Sequence, residues 1–117
     1  MENYSLLLHQ SNTAKGELSP DEIQAIVARY KAWGQKLRDA GRFVGSNKLE
    51  DRTGRVLVGT AGGVRITDGP YAETKDVVSG YFVISAGSYE EAVEMSRDCP
   101  HLELGFGAIE IRKIHVV

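Results

Sequence analysis

The sequence predicts a two-layer α+β fold of the ferredoxin-like class: two β-α-β halves with a β-hairpin inserted between them. Three observations carry this expectation. Two short apolar runs, each followed by a capped amphipathic helix, give the order strand, helix, strand twice over. A glycine-rich turn between two β-prone runs separates the halves. Each helix is bounded by capping chemistry at one end and a breaker at the other.

The first strand is expected at Tyr4 to His9, a short apolar run that reads as an interior strand buried on both faces. Gln10 to Glu17 is polar and reads as a loop. The first helix then starts on an N-cap at Ser19, with Pro20 in the first helical position and Glu22 completing a capping box. Apolar residues recur at Ile23, Ile26, Val27, Tyr30, Trp33 and Leu37 with helical spacing, and Gly41 supplies a left-handed stop. Arg42 to Leu49 reads as a strand with glycine interruptions. Arg55 to Val58 and Gly63 to Thr67 pair as a hairpin around Gly59 to Gly63. Asp68, Gly69 and Pro70 make a turn, and a loop runs to Ser79. A buried strand follows at Gly80 to Ala86, then a helix from Tyr89 to about Asp98, capped by Ser88 with Glu91 and stopped by Pro100. The last strand, Gly107 to Val117, alternates at Ile109 and Ile111 and resumes out of phase at Ile114, which predicts a β-bulge near Lys113.

Two helices cover one face of such a sheet. The other face is expected to be apolar and to close against a second copy, giving a homodimer with an internal cavity. The rest of the composition narrows the function classes. The 117 residues carry 14 Lys+Arg against 16 Asp+Glu with the signs interspersed, so no basic stripe marks a nucleic-acid partner. No apolar run approaches the roughly 18 residues that span a bilayer, and no signal peptide is visible, so no membrane partner and a cytoplasmic location are expected. The lone Cys99 cannot form an internal disulfide, and no clustered ligands have metal spacing, so neither metal nor cofactor is expected.

The polar residues near the sheet ends are the candidate site. Asp68, Lys75, Asp98 and His101 are expected to converge where the second buried strand enters and the second helix ends. There His101 would act as a base beside Asp68, and Lys75 would hold an anion or a developing oxyanion. Each has a plainer reading: Asp68 caps a tight turn, Lys75 pairs with Glu73 or a dimer mate, and His101 is a polar residue after Pro100. His9 is placed at the opposite end of the sheet from His101, facing the cavity or simply ending its strand. Trp33, Tyr30 and Tyr81 suit an aromatic pocket, although Trp33 and Tyr30 also complete the helical stripe. Cys99, beyond a helix C-terminus, reads as a small buried apolar residue rather than a nucleophile. His115 reads as solvent-facing. Gly59 to Gly63 lacks the Lys and the following helix of a phosphate loop and reads as a turn.

The string DGPYAETK (Asp68 to Lys75), followed by GYFVI (Gly80 to Ile84), resembles the DGPF branch of the YCII-related family, with Tyr71 where Phe is usual. LLLH, LSPDEI, LRDAG, SYEEA, DCPHL and IEIRKI agree along nearly the whole chain. The resemblance implies a dimeric α+β barrel. It also implies a His–Asp catalytic pair, whose helical His has no counterpart between Ile23 and Leu37. It further suggests an accessory role beside regulators such as extracytoplasmic-function sigma factors. Three functions follow: binding of a small acidic or aromatic metabolite, a cofactor-free lyase or isomerase using His101 and Asp68, and a partner module of a transcription regulator. In the binding reading the ligand is held by Lys75, Glu73, Asp98, His9 and Tyr71.

Overall fold

A computed structural model describes residues 1–11, 18–69 and 76–117. The elements run β1 (Glu2–Ser11), α1 (Pro20–Asp39), β2 (Phe43–Lys48), β3 (Arg55–Thr60), β4 (Gly63–Asp68), β5 (Asp76–Ala86), α2 (Tyr89–Ser96), α3 (Pro100–Glu103) and β6 (Ile109–Lys113). The sheet order β2-β5-β1-β6 is antiparallel throughout, which is the ferredoxin-like arrangement, and β3 and β4 form a separate two-stranded sheet. Tyr71, Glu73 and Lys75 lie outside the described residues.

Local chemistry sets the helix ends as expected. Ser19 accepts the Glu22 amide at 3.1 Å while Glu22 accepts the Ser19 amide at 3.2 Å, and Gly41 takes φ +72° just past the helix. At α2 the capping box is only half made. Ser88 accepts the Glu91 amide, but the Glu91 carboxylate reaches past the Ser88 amide to the Gly87 amide and adds a charge-assisted bond from Arg42. Pro100 opens α3 rather than merely ending α2.

The core is the layer between sheet and helices. Tyr4, Leu6 and Leu8 of β1 and Phe82, Ile84 and Ala86 of β5 alternate inward onto Trp33, Leu37, Ala92 and Cys99. Trp33 meets Phe82 edge-on at 4.8 Å, and Tyr4 meets Tyr89 at 4.9 Å. The apolar stripe of α1 is buried only toward its C-terminus, while Ile23 and Val27 stay nearly half exposed. A 20-residue helix is about 30 Å long and outruns the edge strands of five and six residues.

Three expectations are corrected. β1 is central but not buried on both faces: Ser5, Leu7 and His9 alternate outward and are only half-buried, since both long helices sit on one side. No bulge occurs near Lys113, because β6 pairs with β1 in steady register until it ends there, and Ile114 then donates to the Asn3 carbonyl. The register shifts fall elsewhere, where Leu8 pairs Gly80 but His9 pairs Val78, and between Phe43 and Gly45. Finally, the uncovered face is mixed rather than plainly apolar.

Candidate functional site

The uncovered face follows from strand register. Opposed residues share a face, so Leu7 lies between Tyr81 and Glu110, and Ser5 lies between Val83 and Arg112. Asn47, opposite Tyr81, completes the row on β2. Leu7, Tyr81 and Val83 therefore make an apolar strip across the middle of the sheet. Two polar pairs flank it. The His9 Nε2 and a Glu110 carboxylate oxygen lie 2.9 Å apart, and the Asn47 amide donates to the Tyr81 hydroxyl at 2.9 Å. Arg112 stands 3.9 Å from the other Glu110 oxygen. The protein is a slab of 49 × 43 × 18 Å, one sheet and one helix layer thick, so nothing of the described chain covers this strip.

His101 is on the other side of the sheet and only 1% exposed. Its Nε2 meets the His9 carbonyl oxygen at 2.8 Å; that oxygen only accepts, so Nε2 carries the ring proton. The Tyr30 hydroxyl then donates to Nδ1 at 3.1 Å. Burial pushes the Tyr30 hydroxyl up to about 12, with the nearby Cys99 adding to the rise and Arg29 opposing it. The ring thus clasps α1, α3 and β1 together. His9 and His101 lie at the same end of the sheet, not at opposite ends: β5 runs antiparallel to β1, so the exit of β1 adjoins the entrance of β5 and the helix that returns there.

The expected convergence of Asp68, Asp98 and His101 is not what the structure shows. Asp68 ends β4 on the hairpin with its side chain 93% exposed, 3.5 Å from Arg55. Asp98 belongs to the helical face, where it accepts from the Trp33 indole at 3.0 Å and pairs with Lys36, which holds its carboxyl below the usual aspartate range. That side also has a shallow groove of about 650 Å³ between α1 and α2, yet its charges neutralise one another as Lys36–Asp98, Arg42–Glu91 and Arg97–Glu94. Cys99 is fully buried and its thiol is pushed up to about 11 by burial, in keeping with an inert packing role. Among the described residues no three His, Cys, Asp or Glu side chains are grouped to hold a metal, and no helix is long and apolar enough to cross a membrane.

Sequence reasoning did not find Glu110 as the partner of His9, Asn47 as the partner of Tyr81, or Tyr30 as the partner of His101. A signal for Glu110 was present. Ile109 and Ile111 point inward, so Glu110 must point to the same face as Leu7 and His9 once β6 is placed beside β1.

The model of the YCII-related domain matches residues 4–116. The chain is also similar to an uncharacterized protein of Rhizobium meliloti (strain 1021), 27% identical over 112 residues, which covers 95% of this chain and 90% of the relative.

Proposed function

The chain belongs to the YCII-related family, and from that premise we propose that it is a homodimer whose two open sheet faces enclose a small acidic or aromatic metabolite. The observation that carries this reading is the half-buried strip of Leu7, Tyr81 and Val83 between the fixed pairs His9–Glu110 and Asn47–Tyr81. An apolar floor with a few oriented polar groups is the usual make-up of a ligand pocket. The Tyr81 ring offers a stacking surface, and Arg112 and His9 supply cationic or donor groups for a carboxylate. A second copy related by a two-fold axis places the same strip opposite itself and turns an open face into an enclosed one. The proton-transfer reading has less support: both His101 ring nitrogens are engaged within the core, while Asp68 pairs with Arg55 on the hairpin.

The test combines sedimentation with thermal shift, using benzoate and related small aromatic acids as probes. A ligand at 100 times its dissociation constant adds about 2.7 kcal/mol, on the order of 10 °C for a domain of this size. The expected result is a dimer whose melting rises with a probe and whose shift is lost in Tyr81→Ala and His9→Ala. A monomer at all concentrations, or a shift that both variants keep, overturns the reading.

A further inference from the structure

We propose that the β3–β4 hairpin is a dimerisation arm, which clasps a second copy of this chain through Leu57, Val64 and Ile66. The inference rests on the face-to-face dimer proposed above and assigns the part of the interface outside the sheet. Strand pairing places Leu57 directly opposite Ile66, with Val64 opposite Gly59 on the same side of the ribbon. These three aliphatic side chains are 62%, 62% and 63% exposed. On the opposite side Val56 and Val58 are half-buried beside the exposed Thr67 and Arg65, and Val56 would crowd a Cβ added at Gly69. The hairpin therefore leaves one apolar face open.

Physical arguments favour a second copy as the occupant. An isolated two-stranded ribbon is marginally stable in water, so an arm with an uncovered aliphatic face needs something to pack on. The chain is also more extended than a compact domain of its length: its radius of gyration is 16.1 Å, against about 13 Å expected for 117 residues. Area points the same way. The four strands, of ten, six, eleven and five residues, outline a sheet face of roughly 520 Å², short of the ~800 Å² each partner buries in a stable interface. An arm face is roughly 200 Å², and in a two-fold dimer each copy both lends one and receives one, which brings the outline to about 900 Å². The arm is rooted at the edge of the sheet: the chain leaves β2, an edge strand, at Lys48 and re-enters on β5 at Asp76.

The test is sedimentation equilibrium of the full chain and of two variants that keep the ribbon's register with a cross-strand ion pair: Leu57→Lys with Ile66→Glu, and Leu57→Glu with Ile66→Lys. Circular dichroism checks that each variant is folded. The expected result is a dimeric parent and, in both variants, a dimer dissociation constant raised at least about 100-fold. A dimeric parent whose variants dissociate within about threefold of it overturns the arm and leaves the sheet-face dimer standing. A parent that is monomeric overturns both and leaves the hairpin to another partner. Amide exchange of the unmodified protein gives an independent reading. Protection of the 55–68 amides that appears only above the dissociation constant supports the arm, and protection unchanged across it refutes the arm.

Discussion

Replacing His101 by Ala tests whether this histidine holds the fold together. The imidazole donates through Nε2 to the His9 carbonyl at 2.8 Å and accepts the Tyr30 hydroxyl on Nδ1 at 3.1 Å, and it packs edge-on against Phe106 at 6.2 Å. Each hydrogen bond is worth roughly 1 kcal/mol net, and a buried acceptor left without its donor adds about 1–3 kcal/mol. A ring-sized void in the core adds more unless neighbours collapse into it. The expected loss is about 3–5 kcal/mol, roughly 10–20 °C in melting temperature for a domain of this length. Urea unfolding followed by the fluorescence of Trp33, the sole tryptophan, measures it. Tyr30→Phe deletes one bond and keeps the ring, so it should cost about 1 kcal/mol, and the double variant should cost less than the sum of the two. A His101→Ala loss below about 1 kcal/mol refutes the clasp and returns His101 to the list of chemically available groups.

Three further outcomes follow from the same geometry. Gly107→Ala should destabilise by about 2–4 kcal/mol on thermal melting, because a Cβ there would run into the His9 carbonyl and disturb the 2.8 Å bond from the His9 amide to the Ala108 carbonyl. Asp98 has its folded pKa depressed by Lys36 and the Trp33 indole, so its contribution is present above the ordinary value of 3.8 and is lost as pH falls through the lower folded value; acid titration of Asp98→Asn should show a shallower loss of stability in that window. Cys99, with a thiol near 11, is about one part in a thousand thiolate at pH 8, so it should resist an aromatic disulfide reagent in the native protein and react once with denaturant present.

What was legible in the sequence was what neighbours along the chain decide. Ser19, Pro20 and Glu22 announce α1 because a cap and its donors lie within one turn, and Gly41 ends it because only a residue without a Cβ takes that conformation at no cost. The hairpin was equally plain, although pairing continues through Thr60 and Gly63 and leaves only Ala61 and Gly62 in the turn. The DGPYAETK string carried the family. The candidate site was less legible. Sequence position puts Asp68, Asp98 and His101 alike near strand or helix ends, but an end has several sides, and Asp98 faces Lys36 across the helices.

By itself, then, the sequence determined the order of elements, their caps, the inserted hairpin and which residues are apolar enough to make a core. Those properties depend on φ/ψ preference and on periods of two and 3.6, which are written in consecutive residues. Only the tertiary structure decided which polar groups meet. His9 and Glu110 are 101 residues apart and His101 and the His9 carbonyl 92 apart, and each pair exists because β1 lies at the centre of the sheet with β5 on one side and β6 on the other. A register shift at Leu8/His9, invisible in any local pattern, then sets where the end of β1 falls against β5. Hydrogen bonds demand placement to within a fraction of an ångström, and that placement comes from strand order and register, which the chain acquires only on folding.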